Sequence, residues 1–295
     1  FSSQIIMKKK FNNFLGFTLI EVLIAIVITS LMMAAMFTSY SIVNSTYQQV
    51  TDRAKISQAG RDTVGTILRE IRMAGFKYLN DNIAATTEHN PIKIISGSGL
   101  KGKCDEIQIV YGGLDGPPDA SGKYSYNRIQ IIYKCEKYTS KKDSSFENKT
   151  VEGFQLLKSR KKWKDGGWKD IDDTTYEFTP VLDYVQDLVF IPYDKTGKPI
   201  TSKSGSYMPS NNDAYEVRTV DIGLVVRSSK RFYKTDKDPI NNIVRKIISI
   251  ATTASSGTRN IEEQDPFFRD TIVVTANARN VGLDKWLKIK KKVLL

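Results

Sequence analysis

The sequence predicts an α+β protein. A long N-terminal α-helix, transmembrane in its first half, packs on an antiparallel β-sheet head with long loops. Three observations predict this. A basic leader precedes a long apolar run that holds one charge. No proline falls between Phe17 and Phe76, so one helix can continue beyond the apolar run. After Phe76 the apolar period shifts toward two, the period of strands. The chain of 295 residues is 40% hydrophobic and 26% charged, a globular rather than a disordered composition. Its formal net charge of +12 permits an anionic partner and says nothing of fold.

The first element is a membrane-length helix. Lys8, Lys9 and Lys10 precede the run Phe17 to Val43, whose single charge is Glu21. A helix over that run spans about 40 Å, enough for a hydrocarbon core of about 30 Å. The flanking lysines predict a cytoplasmic N-terminus and an extracytoplasmic remainder. An ordinary secretory signal has a shorter apolar region closed by small residues, and neither feature is present. A plain signal anchor would fit the composition, but Gly16 sits just before the run and Glu21 sits on its first turn. A carboxylate there is costly unless it has a partner.

Gly16-Phe17-Thr18-Leu19-Ile20-Glu21 resembles the type III signal of type IV pilins and secretion-system pseudopilins. That pattern is a short basic leader, a glycine, a cut, a phenylalanine and a glutamate as fifth mature residue. The resemblance implies cleavage by a prepilin peptidase between Gly16 and Phe17, and N-methylation of the new Phe17 amine. It also implies an assembly role for Glu21, whose carboxylate pairs with a protonated Phe17 amine, above all that of a neighbouring subunit. A helix N-terminus favours such an anion as well. Met7 would give a leader of ordinary length, so Phe1–Ile6 is expected to be upstream translation.

The helix is expected to run on. Val64, Ile67, Leu68, Ile71 and Gly75 follow helical spacing, with Arg61, Asp62, Arg69, Glu70 and Arg72 on other faces. No a/d heptad persists, which argues against a coiled coil. Major adhesive pilins often carry a glycine and a proline where this chain has Ser30 and Thr38. That departure fits a low-copy subunit better than a shaft subunit. The segment Arg69 to Phe76, the strand Asp270 to Asn280 and the run Val185 to Phe190 are similar to PilW-like minor pilins. The expected organisation is a leader (1–16), a transmembrane or filament-core helix (17–43), an amphipathic helix on the head (44–78) and an extracytoplasmic head (79–295).

Strands follow from alternation. Asp105–Tyr111 places Ile107, Ile109 and Tyr111 on one face, and Asn127–Lys134 does so with Ile129, Ile131 and Tyr133. A turn-rich stretch between them predicts a hairpin. Glu216–Arg227 and Thr271–Asn280 alternate likewise, and Gly153–Ser159, Thr175–Phe178 and Leu188–Ile191 are weaker strands. Strands with one wet face suit an antiparallel sheet covered on one side by the helix. The hairpin brings Cys104 and Cys135 near each other, in a compartment where disulfides persist. Strict alternation puts their sulfurs on opposite faces, so a bulge or frayed end must absorb one residue. Two free buried thiols are the alternative. Tyr193–Tyr215 and Ser228–Asp270 read as long surface excursions, the latter with a short strand at Ile243–Ile250.

Other motifs carry less. The runs Lys158–Lys164 and Lys285–Lys292 interleave bases with tryptophan, a pattern that holds nucleic acid but is more often a solvated face. Asp170, Asp172 and Asp173 lack the glycine and distal glutamate of a calcium loop. His89 is the one histidine, the cysteines number two, and no catalytic fingerprint occurs. No cofactor, no metal and no enzymatic activity is expected. The expected function is that of a minor pilin of a type IV pilus, assembled at or near the tip to prime the filament. A J-type pseudopilin of type II secretion and a pilus-borne adhesin or DNA receptor are the alternatives. The resemblance implies, as partners, other minor pilins, the major pilin, the prepilin peptidase and the inner-membrane assembly platform.

Overall fold

The computed structural model describes residues 16–76, 89–95, 97, 104–114, 117–124, 126–139, 152–164, 166–170, 178–200, 216–231, 245–248, 260–263 and 267–281. One helix, α1 (Leu19–Met73), precedes ten strands. These are β1 (Ile92–Ile95), β2 (Glu106–Leu114), β3 (Tyr126–Thr139), β4 (Glu152–Lys164), β5 (Gly167–Asp170), β6 (Thr179–Tyr193), β7 (Thr219–Arg231), β8 (Arg245–Ile248), β9 (Asn260–Glu263) and β10 (Phe267–Asn277). The chain forms two compact units that meet in sequence between Thr51 and Asp52, so α1 contributes to both.

In the first unit every apolar side chain of α1 from Leu19 to Val50 is exposed. It is the one helix among the described residues that is long and apolar enough to cross a membrane. Four of its hydroxyls are satisfied within the helix. Thr29, Ser30, Thr38 and Thr46 each donate to the carbonyl four residues earlier, at 2.6 to 2.9 Å. That satisfies groups which would otherwise be costly in hydrocarbon.

In the second unit α1 buries Gly60, Thr63, Val64, Ile67 and Ile71, the helical spacing of one face. Leu68 is only partly buried against the core. The close approach depends on Gly60, where a Cβ would stand 2.5 Å from Cδ1 of Ile272 on β10 and 3.6 Å from Cγ2 of Val226 on β7. This face covers a sheet of order β1-β2-β3-β4-β6-β7-β10, with β5 paired to β4 and every pairing antiparallel. Ile107, Ile109 and Tyr111 stand opposite Tyr133, Ile131 and Ile129, as alternation predicts. All six belong to one core with Val64, Ile67 and Ile71. The end of α1 is tied down by Asn280, whose side-chain amide donates to the Arg72 carbonyl at 3.1 Å.

Several strands differ from expectation. β6 runs the full Thr179–Tyr193, with Phe178 just before it and the expected Thr175–Glu177 outside the described residues. Val185 to Pro192 is buried continuously, so this part of the strand has no wet face for alternation to reveal. β1 and β5 were not expected, because four residues are too few for a period. The basic run Lys158–Lys164 is the end of β4, with Arg160 exposed and Lys158, Lys161 and Lys162 half-buried. The excursion Ser228–Asp270 is shorter, because β7 continues to Arg231 and β10 begins at Phe267. Within it β8, close to the expected Ile243–Ile250, pairs with β9.

Two turns share one construction. Asp119-Ala120-Ser121-Gly122-Lys123 and Asp194-Lys195-Thr196-Gly197-Lys198 each read D-x-[S/T]-G-K. Asp119 Oδ1 accepts from the Ser121 amide (2.9 Å), its hydroxyl (2.5 Å) and the Lys123 amide (2.9 Å). Asp194 Oδ1 accepts from the Thr196 amide (2.7 Å), its hydroxyl (2.7 Å) and the Lys198 amide (3.0 Å). These bonds, the hydroxyl donor first, hold both carboxyls below the usual aspartate range. The second turn begins the expected loop Tyr193–Tyr215, whose residues 201–215 lie outside the described ones.

Candidate functional site

The candidate site is the start of α1. Gly16, Phe17 and Thr18 are non-helical and exposed, and Phe17 is 87% accessible. The bond expected to be cut therefore lies in an open, non-helical stretch. The helix starts at Leu19 because Thr18 caps it. The Glu21 amide donates to Thr18 Oγ1 at 3.4 Å. In return Glu21 Oε2 accepts from the Thr18 amide and from the Thr18 hydroxyl, both at 2.9 Å. This is a reciprocal capping box, in which each side chain satisfies an otherwise orphaned backbone donor.

The pairing of Glu21 with a free Phe17 amine has no counterpart in this uncut chain, where the Phe17 nitrogen is a peptide nitrogen. Thr18 holds the carboxylate instead. Thr18 was not singled out from the sequence, although the signal was there. Thr18-Leu19-Ile20-Glu21 is the T-x-x-E pattern that precedes an apolar run. Glu21 borders a shallow groove on the helix surface with Phe17, Val22, Ala25, Ile26 and Thr29. It is the one carboxylate among the residues that line this groove.

The other expected pair lies in the second unit. Cys104 and Cys135 form a disulfide, with Cα atoms 5.9 Å apart. The parity conflict is absorbed at a frayed end: Cys104 precedes β2 and takes a left-handed φ of 60°. Two aspartates hold that end in place. Asp187 Oδ1 accepts from the Cys104 amide at 2.8 Å and the Leu188 amide at 2.9 Å. Asp105 accepts from the Gly97 amide at 2.9 Å and the Phe190 amide at 3.0 Å, and its own amide donates to the Leu188 carbonyl at 2.7 Å. Both aspartates are fully buried. Buried carboxylates persist when backbone donors satisfy them.

The basic run is turned to other uses. Lys158 lies 2.6 Å from Glu70 of α1, in a partly buried ion pair that ties helix to sheet. Burial first, and then the Glu70 carboxylate, push the neighbouring Tyr133 phenol far up. Trp163 and Trp168 face each other across β4 and β5, and His89 packs on both rings at 4.5 and 4.7 Å. Burial, followed by the Arg128 charge, lowers the His89 pKa. The second basic run, Lys285–Lys292, lies outside the described residues, as do Asp172 and Asp173.

Residues 11–37 match the family described as the prokaryotic N-terminal methylation motif. That match contains Gly16, Phe17, Thr18 and Glu21. Among solved structures the chain is similar to a type IV-like pilin from Thermus thermophilus, at 12% identity and a TM-score of 0.42. The likeness covers 76% of this chain and 97% of that one. No curated protein matches. A prokaryotic N-terminal methylation motif thus stands at the head of a long helix that is followed by an antiparallel sheet, the combination expected of a type IV pilin-like protein.

Proposed function

We propose that this protein is a minor pilin, PilW-like in kind, of a type IV pilus. A prepilin peptidase cuts between Gly16 and Phe17 and the new Phe17 amine is methylated. The apolar part of α1 then holds the chain in the inner membrane, N-terminus cytoplasmic and head extracytoplasmic. From there the subunit is extracted by the assembly platform into a filament, at or near its tip, alongside other minor pilins and the major pilin. Its role is assembly rather than catalysis. Glu21 neutralises the amine of an adjoining subunit, and the exposed apolar surface of α1 exchanges lipid for neighbouring helices.

One observation carries this reading. Gly16, Phe17 and Glu21 occur in register at the start of a helix whose apolar side chains are exposed from Leu19 to Val50. A plain anchor needs the apolar length but has no use for a glutamate on its first turn. The test is the intact mass and N-terminal sequence of the protein from its native host. A chain that starts at methylated Phe17 supports the reading. A chain that still carries Lys8–Gly16 overturns it in favour of a static membrane anchor.

A further inference from the structure

We infer that Thr18 is a positioning residue for the assembly carboxylate, holding one oxygen of Glu21 so that the other meets the incoming amine. The inference rests on the reading that Glu21 neutralises an amine of a second copy or sister subunit, and it adds a partner to that pair. Both bonds that Glu21 accepts from Thr18 end on Oε2. Oε1 accepts none from a described residue. The carboxylate is therefore fixed at one edge and open at the other.

Three consequences follow. A glutamate side chain with several rotatable bonds loses most of its freedom before the amine arrives, so less ordering entropy opposes pairing. Two donors on Oε2 stabilise the anion on an apolar face, where it must persist until a partner comes. The Glu21 amide bond to Thr18 Oγ1 is 3.4 Å, longer than the two on the carboxylate. The hydroxyl thus serves Glu21 chiefly through the side chain. A helix cap alone would need only the backbone contact, and serine, asparagine or aspartate would serve equally. A cap that also donates to the carboxylate excludes aspartate, which has no donor.

The test compares Thr18→Val, Thr18→Ser, Glu21→Gln and the double variant Thr18→Val/Glu21→Gln in the full chain, in the native host. Intact mass reads cleavage and methylation. The share of the protein in sheared filaments, relative to membranes, reads incorporation. Thr18→Val is expected to be processed normally and to enter filaments about ten-fold less, the effect of one lost charge-assisted bond. Thr18→Ser restores incorporation, and the double variant is no worse than Glu21→Gln alone. If the Thr18→Val loss persists undiminished on the Glu21→Gln background, Thr18 acts on the helix and not through Glu21, and the inference falls. It falls equally if Thr18→Val is incorporated normally while Glu21→Gln fails, or if Thr18→Val blocks cleavage. If Glu21→Gln itself assembles normally, the underlying reading of Glu21 has failed.

Discussion

Reducing the disulfide should weaken the head mainly by loosening its unfolded chain. The bond closes a loop of 31 residues. In the chain-entropy treatment that removes about 3.7 kcal/mol of freedom from the unfolded state at 25 °C. The folded side should change little on reduction. Cys104 keeps its amide bond to Asp187, and Asp105 keeps its bonds to Gly97, Phe190 and Leu188. The loss should therefore fall on the unfolded ensemble, which becomes more expanded. Urea unfolding of the full chain in detergent micelles, with and without reductant, reads both effects through tryptophan fluorescence. The midpoint should fall, and the dependence on urea should steepen as more surface is exposed. A loss under about 1 kcal/mol with an unchanged slope would refute the reasoning, because the entropy of so long a loop cannot be that small.

Asp187→Ala strips two backbone amides, those of Cys104 and Leu188, of a buried acceptor. It should cost about 2–5 kcal/mol in the same assay, and Asp187→Asn, which keeps one carbonyl oxygen, about half as much. His89 has a folded pKa lowered by burial and by Arg128. Its unfolded form therefore binds more protons just below pH 6.5, so its contribution to stability is full above that pH and declines as pH falls toward the folded pKa. Melting temperatures at about pH 7.5 and 5 should differ in that direction, and His89→Gln should narrow the gap; an unchanged gap would place the titration elsewhere.

What the sequence made legible was local. The lysines, Gly16, Phe17 and Glu21 stand within one short segment, and the hairpin of β2 and β3 announces itself through isoleucines at every second position. The rest depends on residues far apart in the chain. Lys158 looked like part of a solvated charge run because its partner, Glu70, lies 88 residues away. Asp187 reads as an ordinary polar interruption of a strand until the chain folds and brings Cys104, 83 residues away, onto its oxygen. Of β6 only Leu188–Ile191 was legible, because continuous burial from Val185 to Pro192 erases the alternation that marks a strand. Thr18 is the exception, since its partner is three residues on and the pattern was present in plain sequence.

The first part of α1 must suit two surroundings on the proposed reading, lipid before assembly and a bundle of helices after. Lipid asks for no exposed polar group without a partner, and the back-bonded Thr29, Ser30, Thr38 and Thr46 meet that demand within the helix itself. Those same bonds use up the hydroxyl donors, leaving these groups able only to accept from a neighbouring helix. Side-chain shape can then bring neighbours close, but shape alone sets no unique axial register along so uniform an apolar surface. A single carboxylate with one committed oxygen can set it, because sliding a neighbouring amine by one turn, about 5.4 Å, leaves both charges unpaired in an apolar setting. The feature that is most costly in the membrane is thus the one that can specify how far each subunit is drawn out of it.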